Sequence, residues 1–571
     1  MIEELRYTSL TELTGVGFEL ARKIQLTLGK DPHERGPGDE ARALHKIHEN
    51  PYELIQVRGI GFKKADAIAQ FDFAVSEDSP LRHEHGNRAA LASHGSAPPN
   101  IYRSERRKLG LLNPELEMEG VIRDSGRVWL PEVLEAEWTV ARWLGRVREY
   151  QPAFADLALS DEQEAACEGL NDEQIQAVQY GLNGLAAMTL TGDAGSGKTT
   201  VIATLAKCAY LERKSMRVMA FSGKAADRAG EAMDAAGVDY VECMTIHRTL
   251  GYNGRAFTVP ELEDDLIVID EASMVPTELL AAVIRRVPEK ATLILVGDPA
   301  QLPPIGHGFP FADILEYGVP GVHLVQNYRQ AGQVSIFEFA SAMRNKESYH
   351  FEPREGLRVH HSLTDDQLDT LSTEVVERCK EMSLHEWQVI TWKNAVREAL
   401  NEELQAMFNP NGVPILSYSA WGLRRGKGPP PMAELRVGDK VMVTQNAAEY
   451  GVFNGQTGVL DGTANVDGLQ TLVLDMGART ALVPLIEAEG LLVLGFCSTV
   501  HKAQGSGWDT VIVFQEDAVG SFALPARFWY TAVTRASNEL HLFTKMSAAQ
   551  LWRNATERER LPESTLLRRL T

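Results

Sequence analysis

One glycine-rich segment has the residue types and the spacing that bind the phosphates of a nucleotide. It is Gly192-Asp193-Ala194-Gly195-Ser196-Gly197-Lys198-Thr199, which fits the P-loop pattern G-x-x-x-x-G-K-[ST]. Its glycines let backbone N–H groups turn toward phosphate oxygens, and the helix expected after it adds partial positive charge. Lys198 would reach the β- and γ-phosphates, and the Thr199 hydroxyl would bind magnesium. The predicted nucleotide contacts here are Gly192, Gly195, Gly197, Lys198, Thr199 and Thr200.

Two acidic residues follow a second apolar run about 70 residues further along the chain. Ile267-Val268-Ile269 leads directly into Asp270 and Glu271. Asp270 is placed to hold the magnesium ion, and Glu271 is placed to orient or deprotonate an attacking water. After the next apolar run, Gln301 can hydrogen-bond a γ-phosphate or that water. The pattern predicts hydrolysis of a nucleotide with magnesium as the cofactor.

These side chains need a framework of strands and helices that holds them at one edge of a sheet. From about 170 to 330, helical segments alternate with four apolar strands, which are Ala187–Thr191, Arg217–Phe221, Leu266–Ile269 and Thr292–Val296. This alternation predicts a parallel α/β sheet. A second such region covers roughly 385–405 and 493–545. Between its halves, a stretch of about 411–490 is rich in Gly, Pro and short β patterns.

The first 90 residues show helical patterns and two similar glycine turns. Leu13–Phe18 and Val57–Phe62 each contain Gly-x-Gly before an apolar helix pattern, and Lys63 and Lys64 follow the second copy. Each copy is typical of a helix-hairpin-helix element, whose turn can contact a nucleic-acid backbone independently of sequence. A purely structural helical hairpin explains each copy equally well.

Composition restricts the class of protein without identifying it. The chain has 571 residues, 44% of them hydrophobic and 24% charged, which is ordinary for a globular protein of more than one domain. Its net charge of −21 gives no overall nucleic-acid signal, although a local basic groove remains compatible with it. We expect no membrane span and no signal peptide. The five scattered cysteines favour a reducing cytoplasm over a zinc site or a disulfide framework.

The order of the motifs over about 170–545 resembles superfamily 1 helicases, and specifically their RecD-like group. Besides the P-loop and the acidic pair, the resemblance is carried by Ser222–Arg228, Thr245–His247, Asn327–Gln330, Thr499–Ser506 and Tyr530–Ala536. It implies that Gln174 contacts the adenine. A near copy of that segment contains Gln163, but the spacing to the P-loop favours Gln174. At Asp193 the chain departs from the family, which often has Gly there.

The resemblance also implies roles for residues on both sides of the nucleotide. Arg329 would contact the γ-phosphate and Arg535 would be the arginine finger, so that the catalytic set is Lys198, Glu271, Gln301, Arg329 and Arg535. For a lone arginine, an ion pair at a surface or domain interface is the alternative. The implied contacts to single-stranded DNA are Lys224, Thr245, His247, Asn454, Thr499 and His501.

Asn-Gly dipeptides mark two turns to which the resemblance gives functions. In Leu250–Phe257, Asn253-Gly254 lies between β-capable flanks and predicts a hairpin. RecD-like helicases have a duplex-splitting pin there, which would consist of Tyr252, Asn253, Gly254 and Arg255; an ordinary surface hairpin is the alternative. The second turn, in Val452–Gly458, resembles the motif of an inserted SH3-like barrel.

The predicted fold class is therefore multidomain α/β, with two RecA-like P-loop lobes built on parallel sheets. The expected division is a helical N-terminal domain with helix-hairpin-helix elements at 1–150, a first lobe at 151–330 with the pin near 250–262, a second lobe at 331–410 and 493–571, and an SH3-like β insert at 411–492.

The implied function is an ATP-dependent DNA helicase that moves 5′ to 3′ on single-stranded DNA and unwinds duplexes in repair or recombination. Three alternatives stay open, namely a single-strand translocase, an RNA helicase and a non-unwinding DNA-binding subunit of a repair complex. The implied partners are single-stranded and tailed duplex DNA, with single-strand-binding or repair proteins as further candidates. We expect a cytoplasmic monomer that does not associate with membranes.

Overall fold

The computed structural model describes most of the chain. The described residues are 9–29, 39–57, 59–149, 158–193, 195–253, 256–326, 334–345, 347, 349, 354–420, 432–477, 479–515, 526–557 and 565–570. Within them, no helix is both long and apolar enough to span a membrane. All five cysteines lie in these ranges, and each is a free thiol.

The N-terminal region is helical, as the sequence predicts, with one small antiparallel sheet. Its elements are α1 (Phe18–Leu28), α2 (Glu40–Glu49), α3 (Phe62–Asp72), α4 (Pro80–Leu91), β1 (Ser96–Ala97), α5 (Pro99–Lys108), β2 (Ile122–Asp124), β3 (Arg127–Trp129) and α6 (Pro131–Glu149). Helices α1 and α3 both begin directly after a Gly-x-Gly turn. Gly15 and Gly59 have φ values of +70° and +93°, which favour glycine because a Cβ atom is strained there.

The first parallel sheet has six strands in the order β6-β5-β7-β8-β4-β9. They are β4 (Ala187–Gly192), β5 (Met216–Ala220), β6 (Glu242–Thr245), β7 (Leu266–Asp270), β8 (Thr292–Gly297) and β9 (Gly321–Leu324). Four of them confirm the predicted strands to within about a residue. The sequence analysis missed β6 and β9, because both are four-residue edge strands with partly exposed faces.

Helices cover this sheet on both faces. They are α7 (Asp161–Ala166), α8 (Asp172–Leu182), α9 (Lys198–Leu211), α10 (Gly223–Ala235), α11 (Ile246–Thr249), α12 (Thr277–Ile284) and α13 (Pro310–Tyr317). Two apolar clusters, one on each face, bury the sides of β7 and β8. Both faces of these strands are buried, so their sequences are continuous apolar runs.

The second parallel sheet has five strands in the order β10-β21-β20-β11-β19. The strands are β10 (Leu357–His360), β11 (Trp387–Thr391), β19 (Cys497–Thr499), β20 (Trp508–Gln515) and β21 (Ala536–Thr544). Its helices are α14 (Val334–Asn345), α15 (Asp365–Arg378), α16 (Asn394–Phe408), α18 (Val500–Ala503), α19 (Ala526–Val533), α20 (Ala548–Glu557) and α21 (Leu567–Leu570). The sheet draws its strands from both sides of the insert, as the sequence predicts.

The insert between β11 and β19 is antiparallel. A two-stranded ribbon pairs β12 (Pro414–Ser419) with β13 (Met432–Arg436). The remaining elements are β14 (Lys440–Val443), β15 (Thr457–Val466), β16 (Leu469–Asp475), β17 (Thr480–Pro484), α17 (Leu485–Ala488) and β18 (Leu492–Leu494). These five strands form a sheet in the order β17-β16-β15-β14-β18. The β character of the insert is thus observed, while its SH3-like class and the domain bounds stay predictions.

The insert shares one apolar core with the second lobe. Trp387, Ile512 and Phe543 of the parallel sheet lie in the same cluster as Val441 and Leu472 of the insert. Lys440 is 1% exposed, and its ammonium donates to the Trp387 carbonyl and lies 5.1 Å from the Trp387 ring. The insert is therefore anchored to the lobe through buried contacts.

A buried ionic junction ties the end of the chain to the N-terminal region and the first lobe. Arg569 of α21 donates to Glu137 of α6 at 2.7 Å and to Asp124 at 2.8 Å. Its guanidinium lies 4.9 Å from the Trp129 ring centroid. His307 Nε2, from the loop before α13, is 3.1 Å from Glu137. Burial favours a raised pKa for Glu137, but the hydrogen bonds from His307, Thr565 and Arg569 outweigh it and lower the pKa.

We predict that Arg569→Ala lowers the free energy of unfolding by about 3 kcal/mol, because it removes a buried guanidinium that pairs with the buried Glu137 carboxylate. The measurement is the midpoint of urea unfolding followed by tryptophan fluorescence. Arg553→Ala, which removes an exposed arginine from α20, is the control and should leave the midpoint unchanged. Equal midpoints for both variants would contradict a structural role for the junction.

Candidate nucleotide and nucleic-acid site

The P-loop connects the C-terminal end of β4 to the first residue of α9. Gly195 and Gly197 have φ values of +93° and +85°, so these glycines permit the turn that the loop makes. The Lys198 ammonium donates to the carbonyls of Gly192 and Asp193 at 2.7 and 2.8 Å. A Cβ atom on Gly192 would lie 2.5 Å from Ser196 Oγ and 3.0 Å from the Leu324 carbonyl oxygen, so glycine favours the close packing here. The loop has the strand–turn–helix context that phosphate binding requires.

A cavity of about 270 Å³ lies next to the P-loop and brings together nine residues that the sequence predicts for the site. They are Gly195, Gly197, Lys198, Thr199, Thr200, Asp270, Glu271, Gln301 and Arg535. The first eight belong to the first lobe. Arg535 follows α19 in the second lobe. Both lobes therefore contribute residues to the lining of one cavity.

The two acidic residues lie at the end of β7, on the cavity wall. Burial raises the pKa of Asp270, and the adjacent Glu271 carboxylate raises it further. Glu271 has the left-handed φ of +51°, a strained conformation for a residue with a side chain, and its N–H donates to Asp270 Oδ1 at 2.8 Å.

The oxygen donors of this wall fit a magnesium ion. Among the described residues, no three His, Cys, Asp or Glu side chains cluster to form a metal site of their own. Magnesium needs fewer protein ligands, because it keeps several waters and binds substrate phosphates. The Thr199 hydroxyl and the Asp270 carboxylate line the same cavity and are the ligands of the predicted type.

Arg535 is 2% exposed and held in place by its own lobe. Its guanidinium donates to the carbonyls of Ser506 and Thr531, both at 2.9 Å, and to Thr534 Oγ1 at 3.0 Å. Gln301 is also buried, and its side-chain oxygen accepts from Gln504 of the second lobe at 3.3 Å. The hydrogen bond between Gln504 and Gln301 thus links the two lobes through a residue that the sequence predicts to be catalytic.

The structure distinguishes Gln174 from its near copy Gln163. Gln174 shares a capping box with Asn171 and donates to the Ser196 carbonyl of the P-loop at 3.4 Å. Gln163 instead donates to Glu212 at 3.0 Å. Glu212 follows the C-terminus of α9, roughly 20 Å from the P-loop at 1.5 Å per residue. Proximity to the P-loop therefore agrees with the choice of Gln174, while its contact to adenine stays a prediction.

Lys224, a predicted DNA contact at the start of α10, spans the gap between the lobes. Its ammonium lies 5.1 Å from the ring centroid of Trp508 in the second lobe. Burial, together with the charges of Arg228 and Arg535, lowers the pKa of Lys224 to about 7. A phosphate group close to Lys224 would stabilise the protonated form of its side chain.

The Asn454 turn of the insert packs on the start of the same helix. A Cβ atom on Gly223 would lie 2.2 Å from the Phe453 ring, so only glycine permits this contact. Gln456 donates to Asp227 of α10 at 2.6 Å. Asn454 itself is exposed, and its N–H donates to Asn446 at 3.0 Å. The turn thus brings an exposed amide side chain close to the Lys224 segment.

The other predicted DNA contacts differ in exposure. Thr245 and Thr499 are buried at the starts of α11 and α18. His501 packs edge-on against Phe528, with ring centroids 5.0 Å apart. His247 is exposed, and burial of its ring on one side lowers its pKa.

The predicted pin is a short turn closed by one antiparallel bridge. Tyr252 pairs with Phe257, and the Asn253 N–H donates to the Ala256 carbonyl at 3.1 Å. The His247 ring packs against both aromatic rings, with centroids 5.4 and 5.9 Å away. Three predicted residues, namely Gly254, Arg255 and Arg329, lie outside the described residues.

Sequence reasoning missed several residues that the structure brings to these sites. Arg228 and Gly505 line the cavity, and the Trp508 ring lies against the Lys224 ammonium. Arg228 could have been found from its position four residues after Lys224, on the same side of a helix. No sequence pattern pointed to Trp508, because its partner Lys224 lies in the other lobe.

Models of three families match separate parts of the chain. An AAA domain matches residues 169–358, and a UvrD-like helicase C-terminal domain matches 494–543. The HHH domain of ATP-dependent RecD2 DNA helicases matches 38–97, which includes the second Gly-x-Gly turn.

Relatives with assigned names extend over most of the chain. It is 30% identical over 566 residues to the ATP-dependent RecD2 DNA helicase of Deinococcus radiodurans, covering 92% of this chain and 74% of that one. It is 29% identical to the RecBCD enzyme subunit RecD of Mycolicibacterium smegmatis, covering 80% and 84%. A solved structure of Pif1 helicases at forked dsDNA matches at 20% identity with a TM-score of 0.43, covering 70% of this chain and 95% of that one.

We predict that Lys198→Ala abolishes ATP hydrolysis, because it removes the only predicted cation that the P-loop itself offers to the phosphates. Binding to single-stranded DNA should remain within about twofold, since Lys198 faces the nucleotide cavity. The measurements are phosphate release and fluorescence anisotropy of a labelled oligonucleotide. Lys207→Ala, on the same helix α9, is the matched control. Hydrolysis retained by Lys198→Ala would show that the site is assigned wrongly.

Proposed function

The chain belongs to the family of ATP-dependent RecD2 DNA helicases, and from this premise we propose how its residues couple ATP hydrolysis to movement along DNA. It is an ATP-dependent DNA helicase. The observation that carries the proposed mechanism is the single cavity lined by Lys198 and Glu271 from one lobe and by Arg535 from the other. A nucleotide in this cavity would contact both lobes.

Each charged residue of the cavity has a separate role in the proposed reaction. Lys198 binds the β- and γ-phosphates, and Glu271 orients the attacking water and accepts its proton. Arg535 stabilises the charge that develops on the transferred phosphoryl group. Magnesium, when bound by Thr199 and Asp270, would neutralise part of the phosphate charge. Gln174 is proposed to bind the adenine and Arg329 the γ-phosphate.

Lobe closure couples this chemistry to DNA. Contacts between the lobes cluster around the loop after β8, where Arg527 donates to the Pro299 and Gln301 carbonyls and the Leu302 N–H donates to Thr531. Gln301 would sense the γ-phosphate and pass its state to Gln504 and the segment of Thr499 and His501. Cycles of closure and opening would then move the lobes along a strand.

The strand is proposed to lie near the Lys224 segment, the Asn454 turn and the His501 segment. The contacts of Phe453 and Gln456 with α10 support this, because they bring the insert to the helix that carries Lys224. We also propose an SH3-like class for the insert, a duplex-splitting role for the pin, and a backbone contact by the second Gly-x-Gly turn. Thr245 and His247 complete the proposed DNA contacts.

Polarity and biological role extend the proposal. We propose 5′ to 3′ movement and a role in repair or recombination, which agree with the family. A monomer acting in the cytoplasm is our expectation, and the free cysteine thiols agree with a reducing compartment. The alternatives of an RNA helicase or a non-unwinding translocase differ in the substrate that stimulates hydrolysis or in the absence of strand separation.

We predict unwinding of duplex DNA that carries a 5′ single-stranded tail and little unwinding from a 3′ tail. Movement in one direction along the tail drives the lobes into the duplex only when the tail has the matching polarity. The measurement is strand separation by a fluorescence-quencher pair, with Lys198→Ala as the blank. Unwinding only from the 3′ tail would overturn the polarity, and faster unwinding with an RNA tail would favour the RNA alternative.

Removal of the pin should separate hydrolysis from unwinding. We predict that deletion of 252–257 keeps DNA-stimulated hydrolysis within about twofold, since the pin is outside the nucleotide cavity, but reduces unwinding at least about tenfold. Tyr252→Ala is the milder variant, because it leaves the Phe257 contact with Arg286 in place. If unwinding by both variants equals that of the parent protein, the turn is an ordinary surface hairpin.

A further inference from the structure

A polar cluster outside the cavity joins the P-loop to the second lobe. Asp193, the second residue of the P-loop, forms an ion pair with Arg344 of α14. The Tyr530 hydroxyl of α19 lies 3.3 Å from the Asp193 carboxylate and 2.8 Å from the Asp298 carboxylate. Asp193, Asp298 and Tyr530 are each at most 9% exposed. The cluster therefore buries two carboxyl groups, while the Arg344 side chain that pairs with Asp193 is only partly buried.

Among the described residues, the hydrogen-bond partners of the Asp193 carboxylate are Arg344 and Tyr530, and both belong to the other lobe. Asp193 and Asp298 follow the paired strands β4 and β8 of the first sheet. Arg344 extends from a helix whose Phe339 and Met343 pack in the same apolar cluster as Trp529. The ion pair is consequently formed only while α14 lies against the P-loop, and opening of the lobes would separate its two charges.

The Asp193 carboxylate matters to a nucleotide because of where its backbone lies. The Asp193 carbonyl accepts a hydrogen bond from the Lys198 ammonium, so this residue adjoins the group that binds phosphates. Burial raises the pKa of Asp193, the Arg344 charge lowers it, and Asp298 raises it again. An uncompensated carboxylate beside the P-loop repels phosphate oxygens, and a neighbouring guanidinium cancels that repulsion.

We propose that the Asp193–Arg344 pair makes nucleotide affinity depend on lobe closure, with Arg344 as a positioning residue that acts through Asp193. With the pair formed, the P-loop accepts the phosphates. With the pair broken, the Asp193 carboxylate repels them, which favours release of ADP from the open state. The inference rests on the proposed function, because it takes the cavity to be the ATP site. It also gives a role to the residue at which this P-loop departs from the usual Gly.

The test is a double-mutant cycle on nucleotide binding in the full chain. The variants are Arg344→Ala, Asp193→Asn and the two combined; asparagine keeps the shape of Asp193 and removes its charge. The readouts are the Kd of a fluorescent ADP, the Kd of a non-hydrolysable ATP analogue, and KM and kcat of DNA-stimulated hydrolysis. Glu338→Ala is the matched control, because Glu338 lies on the same helix α14 and its exposed ion pair, with Arg354, is outside the cluster.

Arg344→Ala should weaken binding of both nucleotides about tenfold, within the range of about 5–150-fold that is typical of coupled sites. The effect should appear in KM more than in kcat. The double variant should return to within about twofold of Asp193→Asn, because no carboxylate is left to repel the phosphates. If it binds as weakly as Arg344→Ala, the pair acts only through structure and the inference is wrong.

A replacement variant guards against unfolding, and the activity of the parent protein separates this inference from the proposed function. Arg344→Gln replaces Arg344→Ala in the cycle if the alanine variant unfolds, since it removes the charge and keeps a polar side chain against Asp193. A parent protein that hydrolyses ATP but shows no coupling in the cycle would refute this inference alone. A parent protein that fails to bind or hydrolyse ATP would refute the proposed function.

Discussion

The arrangement of this protein depends on how one small cavity balances charge between two lobes. Lys198, Asp270 and Glu271 come from the first lobe, and Arg535 comes from the second. Burial makes each of these charges costly unless an opposite charge lies close by. A bound nucleotide with magnesium would supply such charges, so that its binding and hydrolysis change the energy of bringing the lobes together.

The other parts of the chain are joined to the lobes through buried contacts. The insert shares a core with the second lobe, and its Phe453 packs on the start of α10 in the first lobe. The Glu137–Arg569 junction joins the N-terminal region to the end of the chain and, through His307, to the loop before α13. Both connections reach loops that follow the strands of the first sheet. Movement of one lobe would therefore be transmitted to the insert and to the N-terminal region.

The predictions from sequence succeeded where a local pattern has one physical explanation. Continuous apolar runs identified β7 and β8, because a strand that is buried on both faces has apolar residues at every position. The P-loop and the acidic pair were found from spacing alone, and the structure places them in one cavity. Edge strands such as β6 were missed, since four residues with a partly exposed face give a weak pattern. The roles assigned to the DNA contacts and the pin stay predictions.

By itself, the sequence determined the kind of chemistry and the elements that carry it, because phosphate binding, a buried strand and a tight glycine turn are local requirements. Only the tertiary structure decided which residues meet across the lobes. Lys224 with Trp508 and Asp193 with Arg344 are separated by 284 and 151 residues, and no local pattern encodes such pairs. Their partners are selected by how two sheets pack, which depends on all the buried surfaces together. The choice of Gln174 over Gln163 came from sequence spacing, and the Gln174 contact with the Ser196 carbonyl agrees with it.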